Sequence, residues 1–223
     1  MTESRVKDQL GETCKNHLME CYVSKKYDRH KDVTNKYIEK GLLAEEDSID
    51  LYSLVKGAYF EKNKETIEND YFVGTPDLFV GRPAIREAQI IIDLKTSWDI
   101  FTFFQSMAKP MDKKYYWQLQ AYMDLTGAKM AKLVYCLVDT PLKLIEDEKR
   151  KLIYTMGVID PEADEAYIEA CKRVEKNGTY SLDIPKEDRY IEFSVPRNDE
   201  HIQQAHERVI ECREFLNQFL ITN

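Results

Sequence analysis

Residues 74–96 read GTPDLFVGRPAIREAQIIIDLKT, and this stretch decides the fold. Short β-prone runs stand on both sides of a turn-forming Gly-Arg-Pro break, which predicts two strands of an antiparallel meander. Residues two apart in a strand face the same side. Asp93 and Lys95 therefore project together, while Leu94 points into the opposite layer. If the two strands pair as a hairpin, Asp77 reaches the same pocket.

The residue types in this pocket indicate a particular chemistry. Two converging carboxylates, Asp77 and Asp93, repel each other, and a hard divalent cation such as Mg²⁺ or Mn²⁺ is the usual compensation. Such an ion stabilises charge on a phosphoryl oxygen and lowers the pKa of a bound water, which favours phosphodiester hydrolysis. Lys95 would orient that water or offset negative charge in the transition state.

Helices are predicted on both sides of this segment. Residues 36–55 have apolar side chains near helical spacing and predict a helix or helix pair, from which Glu45 would project. Residues 113–126 have apolar side chains at spacings of three and four, and Gly127 is placed to end that helix. The hairpin is therefore preceded and followed by predicted helices in the sequence.

The remaining regular segments complete a sheet and one long helix. Residues 131–138 are apolar and β-branched, which is typical of a buried central strand. Residues 189–195 alternate like a half-buried strand, and residues 199–220 predict a long amphipathic C-terminal helix. The chain is thus expected to form a single α/β (α+β) domain over residues 1–223.

A highly charged stretch, about 142–185, is expected to be a peripheral excursion. Within it the sequence predicts a helix at 161–176, with Asp160 as N-cap and proline at the first helical position. The expected core then comprises about 36–140 and 189–220.

The ordered motifs resemble the PD-(D/E)XK nuclease superfamily, whose signature is Pro-Asp on one strand and Asp/Glu-x-Lys on the next. Here it stands as Pro76-Asp77 and Asp93-Leu-Lys95. Gln118-Leu-Gln-Ala-Tyr122 is similar to the Gln-x-x-x-Tyr helix motif of RecB-like nucleases, including lambda-type phage exonucleases. Lys40-Gly-Leu-Leu-Ala-Glu45 resembles the helix glycine and glutamate of the same group. The resemblance implies a restriction-endonuclease-like core, in which a central mixed β-sheet is flanked by helices.

The resemblance also implies roles for individual residues. The metal ligands for Mg²⁺ or Mn²⁺ would be Glu45, Asp77, Asp93 and the backbone carbonyl of Leu94, with Lys95 completing the catalytic set. Gln118 and Tyr122 would line the site or touch DNA. Glu46 is the alternative to Glu45, because the two adjoin in one acidic run. No iron–sulfur cluster is expected, since Cys171 and Cys212 stand isolated.

Several of these residues have plainer interpretations that stay open at this point. Asp77 could be a turn carboxylate, and Asp93 with Lys95 could be an exposed ion pair on an edge strand. Lys113, Lys114 and Trp117 belong to a run of cations and aromatics that suits phosphate contact and base stacking. Core packing accounts equally well for Trp117.

Composition limits the alternatives. The net charge of −8 argues against a protein that coats nucleic acid non-specifically, although a local basic groove stays compatible with it. Five cysteines at irregular gaps fit neither a disulfide framework nor a zinc knuckle. Apolar runs are too short to cross a bilayer, so no membrane association and a cytoplasmic location are expected, in a host cell if a phage encodes the chain.

These observations together predict a Mg²⁺- or Mn²⁺-dependent deoxyribonuclease. An exonuclease in phage or mobile-element recombination or repair is favoured, with DNA as substrate, a single-strand annealing or recombination protein as candidate partner, and a homo-oligomer as a candidate assembly. The alternatives are a catalytically silent DNA-binding or assembly protein on the same fold, and a metal-free acidic scaffold. The sequence leaves DNA against RNA, exonuclease against endonuclease, and polarity open.

Overall fold

A computed structural model describes residues 10–31, 34–81 and 84–222, with side chains described up to residue 219. Its helices are α1 (Glu12–Tyr27), α2 (Lys36–Leu43), α3 (Glu45–Lys56), α4 (Ile100–Ala108), α5 (Lys113–Thr126), α6 (Leu142–Met156), α7 (Glu165–Gly178) and α8 (Asp199–Thr222). Its strands are β1 (Ile67–Glu68), β2 (Val73–Gly74), β3 (Leu78–Gly81), β4 (Ala88–Thr96), β5 (Met130–Cys136) and β6 (Tyr190–Pro196).

The central feature is a four-stranded mixed sheet in the order β3-β4-β5-β6. Strands β3 and β4 pair antiparallel, as the sequence predicts, with Leu78 opposite Ile92. Strand β5 runs parallel to β4, with Leu133 opposite Asp93, and β6 is antiparallel to β5. Strands β1 and β2 form a separate two-stranded sheet. The predicted mixed α/β architecture is confirmed.

Two hydrophobic layers cover the sheet. On one face, Ile92 and Leu94 pack with Tyr52 of α3. On the other face, Ile91 and Leu133 pack with Leu119 of α5. The faces alternate along β4 because successive strand residues point to opposite sides. Asp93 therefore shares the α5 face, at the level where β4 and β5 approach their carboxyl ends.

The helix predictions are confirmed for most of the chain. Residues 36–55 form the predicted helix pair α2 and α3, divided at Ala44. Helix α5 spans the predicted residues and ends at Gly127, which adopts a left-handed conformation. Helix α8 begins at Asp199 as predicted. Among the described residues, no helix is both long and apolar enough to cross a membrane.

Within the charged excursion, the start of the predicted helix is wrong. Asp160 does not cap a helix, because its Oδ1 instead accepts a hydrogen bond from Glu162 N within a turn. Helix α7 begins later, at Glu165, where Asp164 accepts a hydrogen bond from Tyr167 N at 2.9 Å. Helix α6 precedes that turn, and the two helices pack against each other. The excursion is thus largely a helical hairpin.

Candidate active site

A cleft of about 700 Å³ opens where the start of α3 meets the carboxyl end of β4. Its walls include Asp77, Lys95 and Glu45, three residues that are far apart in sequence. Residues from α2, α4 and α5 supply the remaining wall. The cleft therefore gathers three of the charged residues that the sequence singles out, and Asp93 is buried next to Lys95.

Asp77 is held at the entrance to β3 by its own backbone and by its carboxylate. Asn63 N donates to the Asp77 carbonyl at 2.8 Å, and Asn63 Nδ2 donates to the Pro76 carbonyl at 2.9 Å. The Asp77 Oδ2 atom accepts a hydrogen bond from the Leu94 N–H at 2.7 Å. The Pro-Asp turn is thereby fixed to the strand that carries Asp93 and Lys95.

Asp93 and Lys95 form a close pair on one face of β4. Their Oδ2 and Nζ atoms lie 2.6 Å apart, and the Asp93 side chain is only 1% exposed. This pair excludes the interpretation of an exposed edge-strand ion pair, because β4 lies between β3 and β5. Apart from the contact with Lys95, Asp93 Oδ2 has no hydrogen-bond donor among the described residues.

Burial and like charge make the two carboxylates costly to ionise. Burial, reinforced by the charge of Asp93, raises the pKa of Asp77 to about 6. Burial also raises the pKa of Asp93, although Lys95 opposes that shift. Burial disfavours the Lys95 ammonium, but the neighbouring carboxylates outweigh it and raise the pKa of Lys95. The site thus concentrates negative charge beside one cation.

Glu45 is the acidic residue of the α3 start that borders the cleft. Its Oε2 atom lies 2.5 Å from Lys62 Nζ, and its charge contributes to the raised pKa of Asp77. Glu46 is exposed and is not part of the cleft wall. Of the two adjacent glutamates, the structure therefore places Glu45 with Asp77 and Glu46 outside.

The oxygen ligands at this site are of the type that a hard divalent cation prefers, but they are not arranged in a complete coordination site. Carboxylate oxygens are the ligands that Mg²⁺ and Mn²⁺ prefer, and Asp93 offers a buried carboxylate whose Oδ2 lies beside the Lys95 ammonium and has no other hydrogen-bond donor among the described residues. Across the described ranges, no three His, Cys, Asp or Glu side chains are grouped closely enough to hold a metal ion. Glu45 would have to turn from Lys62 to join Asp77 and Asp93.

Gln118 and Tyr122 lie on one face of α5, next to this pair. Gln118 Nε2 donates to the Tyr122 hydroxyl at 3.0 Å. Burial raises the pKa of Tyr122, and the charges of Asp93 and Asp77 add to this effect. Tyr122 is therefore close to the carboxylates, and Gln118 is joined to them through Tyr122.

The three residues considered for DNA contact are placed differently. Lys114 borders the cleft, where its Nζ lies 4.6 Å from the Tyr115 ring centroid. Lys113 is exposed at the first position of α5. The Trp117 ring packs against His201 of α8, with ring centroids 5.5 Å apart. Packing therefore describes Trp117 better than a place in the cleft.

Sequence reasoning missed several groups that shape the site. Lys62 and Asn63 come from an irregular segment before β1, which gives no periodic signal. Thr102 and Ser106 face the cleft from α4, whose start is marked by a capping box between Asp99 and Thr102. That Asp-x-x-Thr pattern is a local signal that could have indicated the start of α4.

Comparison with known proteins relates this fold to exonucleases. The chain is similar to the crystal structure of a phage-related exonuclease from Haemophilus somnus 129PT, with 26% sequence identity and a TM-score of 0.74, covering 99% of this chain and 91% of that one. It is also similar to LHK-Exo, an alkaline exonuclease from Laribacter hongkongensis, with 15% identity and a TM-score of 0.61, covering 100% of this chain and 85% of that one.

A second structure of LHK-Exo, in complex with dAMP, has 15% identity and a TM-score of 0.59, covering 93% of this chain and 82% of that one. At this identity the likeness to LHK-Exo shows the fold alone. No family profile matches the chain, and no curated protein sequence matches it. The structural neighbours are consistent with the PD-(D/E)XK phage exonuclease branch and support a nuclease.

Proposed function

We propose that this chain, which shares its fold with phage-related and alkaline exonucleases, is a divalent-metal-dependent exonuclease that hydrolyses DNA. The observation that carries the proposal is the convergence of Asp77 and Lys95 on one cleft, with the buried Asp93 carboxylate beside them, its Oδ2 2.6 Å from Lys95 Nζ. Two carboxylates with raised pKa values, Asp93 buried and Asp77 half-buried, lie near a single lysine, and such a site gains by binding further positive charge.

The residues of the cleft have separate tasks in this reaction. Asp77 and Asp93 would hold Mg²⁺ or Mn²⁺, together with the Leu94 carbonyl and with Glu45 after it leaves Lys62. When bound, the ion supplies charge stabilisation at the phosphate and a more acidic water. Lys95, an ammonium fixed beside Asp93, would donate a hydrogen bond to the attacking water or to a phosphate oxygen.

The substrate side is proposed on the α5 wall. Tyr122 would border the sugar or phosphate next to the scissile bond, with its hydroxyl oriented by Gln118. Lys114 lies at the cleft and would neutralise a neighbouring phosphate. Lys113, exposed at the start of α5, would reach the backbone further along the strand.

The proteins of similar structure support DNA and end-dependent cleavage. All are described as exonucleases, and one was crystallised with dAMP, a deoxynucleoside monophosphate of the kind that exonucleolytic cleavage of DNA releases. Because one of them is described as phage-related, we place the activity in DNA recombination or repair of a phage or mobile element. A single-strand annealing or recombination protein is the partner class that this setting favours.

The decisive experiment is a cleavage time course on linear and covalently closed circular DNA with Mg²⁺, with Mn²⁺ and with chelator. Asp93→Ala and Lys95→Ala are compared with the wild type. Glu45→Ala and Glu46→Ala form a matched pair, because the two glutamates adjoin while only Glu45 borders the cleft.

We expect the wild type to degrade linear DNA but not circular DNA, and only when metal is present. Asp93→Ala and Lys95→Ala should abolish this activity. Glu45→Ala should weaken it, and Glu46→Ala should not. Cleavage of circular DNA would instead indicate an endonuclease. If the folded wild type degrades neither form but binds DNA, the catalytically silent DNA-binding protein becomes the better account.

A further inference from the structure

Lys40, in α2, is a lysine that the fold buries completely. Its side chain is 0% exposed, although most of α2 faces solvent. A lysine in such a position is rare, because moving an ammonium from water into the protein interior carries a large desolvation cost that new hydrogen bonds or opposite charges must offset. A methionine or leucine would fill the same space without that cost. The charged head therefore has a use that packing alone does not explain.

The head of Lys40 joins two loops that follow neighbouring strands of the sheet. Its Nζ donates to the Trp98 carbonyl at 2.7 Å and to Thr140 Oγ1 at 3.0 Å. The rings of Trp98 and Tyr180 lie 5.8 and 5.7 Å from the same nitrogen. Trp98 comes three residues after Lys95, and Thr140 follows the end of β5.

Burial lowers the pKa of Lys40 to about 8, while the charges of Asp99 and Asp139 act in the opposite direction. The ammonium therefore depends on the carbonyl, the hydroxyl and the aromatic faces around it. Such a contact set is directional, because each acceptor must lie within hydrogen-bond distance of one nitrogen. This geometry fixes α2 relative to the loops after β4 and β5.

Lys40 also lies five residues before Glu45, the acidic residue of the cleft. The Lys40 carbonyl accepts a hydrogen bond from Ala44 N, and Ala44 is the residue between the end of α2 and the start of α3. Beyond this junction, Ser48 Oγ lies 2.8 Å from Thr96 Oγ1 of β4. Glu45 is thus bracketed between two contacts with the catalytic strand and its following loop, one through Lys40 and one through Ser48.

We infer that Lys40 is a positioning residue that holds the junction of α2 and α3 against the end of β4, so that Glu45 faces Asp77 and Asp93. The inference rests on the proposed function, because it assigns to Lys40 the placement of a metal ligand. Loss of the Lys40 head leaves the Trp98 carbonyl and Thr140 hydroxyl without this donor and frees α2 to shift. Glu45 then spends less time oriented toward the two aspartates.

The test compares Lys40→Met with Lys132→Met. Methionine keeps most of the apolar stem and removes the ammonium. Lys132 is the matched control, because it also pairs in the sheet, with Glu192 at 2.8 Å, yet it is not part of the cleft wall. Thr140→Val is a milder second variant, which keeps Lys40 and removes one acceptor. Amide hydrogen exchange, Mn²⁺ binding by electron paramagnetic resonance, and cleavage are measured for each.

In Lys40→Met, exchange should accelerate at residues 36–45 and 97–103 above the rest of the chain, and Mn²⁺ affinity should fall roughly tenfold or more, as for other groups that orient a metal ligand. Thr140→Val should give the same pattern more weakly. Lys132→Met should leave Mn²⁺ affinity unchanged. A purely structural lysine would instead accelerate exchange uniformly, and unchanged Mn²⁺ affinity in Lys40→Met would overturn the inference.

Failure of the proposed function has a different signature. It fails if wild-type protein binds no Mn²⁺ and cleaves no DNA. In that case, the amide exchange pattern tests only whether Lys40 holds the junction of α2 and α3 in place. Faster exchange at residues 36–45 and 97–103 in Lys40→Met would still support Lys40 as the residue that holds α2. If exchange there does not accelerate, that structural role is overturned too.

Discussion

Asp77 and Asp93 share a buried pocket with one cation, and this arrangement should reduce stability when no metal is bound. The pKa of Asp77 is raised to about 6, so its ionisation is disfavoured in the folded state. This unfavourable contribution is present above pH 6 or so and disappears as the pH falls toward the ordinary carboxyl range.

Asp77→Asn should therefore raise the free energy of unfolding in chelator at pH 7.5 by roughly 1 to 2 kcal/mol. The asparagine Oδ1 can still accept from the Leu94 N–H, so the turn is kept. Urea unfolding checks the value, and Mn²⁺ should stabilise the variant less than the wild type. A lower stability than wild type would mean that the charge of Asp77 is already compensated.

Lys40 should give a stability contribution of opposite pH dependence. Its pKa is about 8 in the folded state, below the value of about 10.4 for an unperturbed lysine. Between these two values the unfolded chain binds more protons, so stability rises with pH. The difference in unfolding free energy between wild type and Lys40→Met should shift in favour of wild type from pH 7.5 to 9.5. A difference that does not change with pH would contradict the burial of a charged amine.

At the scale of single residues, the sequence predicts the placement of side chains on β4 well and the residues around β4 poorly. The two-residue period of β4 is enough to place Asp93 beside Lys95, because strand alternation depends only on local geometry. Lys62, which pairs with Glu45, lies in a segment without regular secondary structure. Its approach depends on the tertiary path of that segment, which no local pattern encodes.

Strand β2 and helix α5 approach so closely that one position between them excludes a side chain. A Cβ atom on Gly74 would lie 2.6 Å from Tyr122 Cε1, whereas a Cβ atom on Gly41 would meet no atom within 4 Å. The close approach at Gly74 places the Pro-Asp turn, which follows β2, near Tyr122 of α5.

Gly74→Ala should consequently destabilise the protein by roughly 1 to 3 kcal/mol, the usual cost of overpacking. Gly41→Ala, within α2, should instead stabilise it by roughly 0.5 to 1 kcal/mol through helix propensity. Thermal and urea unfolding of the two variants measure the contrast. Equal effects from both substitutions would mean that Tyr122 moves aside without cost.

For helices and strands, a prediction from sequence is correct where the local sequence signal is strong and wrong where it is weak. Helix α5 has a clear apolar face and a glycine stop, so its bounds are predicted correctly. Helix α6 contains three ion pairs at a spacing of three residues, which hide its apolar face among charges. The start of α7 is wrong because Asp160 and Asp164 both suit an N-cap, and only tertiary packing chooses between them.

Across the whole molecule, Asp124 of α5 joins parts that are distant in sequence. Its Oδ2 accepts from Asn69 Nδ2 at 2.9 Å and lies 2.8 Å from His206 Nε2 of α8. Arg197 is 3.5 Å from its Oδ1. The carboxylate of Asp124 thus connects α5 to the segment between β1 and β2 and to the C-terminal helix α8.

Asp124→Ala should lower the free energy of unfolding by roughly 1 to 3 kcal/mol, because it leaves part-buried donors without their acceptor. Asp199→Ala is the control: Asp199 also pairs with Arg197, but it is 78% exposed and its loss should cost under about 0.5 kcal/mol. Urea unfolding gives both values. If the two substitutions cost the same, the connection through Asp124 contributes nothing measurable.

The order of the sheet is the part of the global fold that the sequence leaves open. The antiparallel pairing of β3 and β4 follows from a short connection between adjacent strands. The parallel pairing of β4 with β5 depends on a return through α4 and α5, which lie between them in sequence. Such a crossover is decided by packing of helices on the sheet, a non-local property.

The alternation of β4 also determines how this chain can change by mutation. The side chains of Ile92 and Leu94 belong to one hydrophobic layer, while Asp93 and Lys95 form an ion pair on the opposite face of the same strand. In a saturation library, positions 92 and 94 should accept other apolar residues and lose soluble yield otherwise. Positions 93 and 95 should lose cleavage while many of their variants stay folded. Selection for yield and selection for activity would therefore recover complementary sets of positions within four consecutive residues.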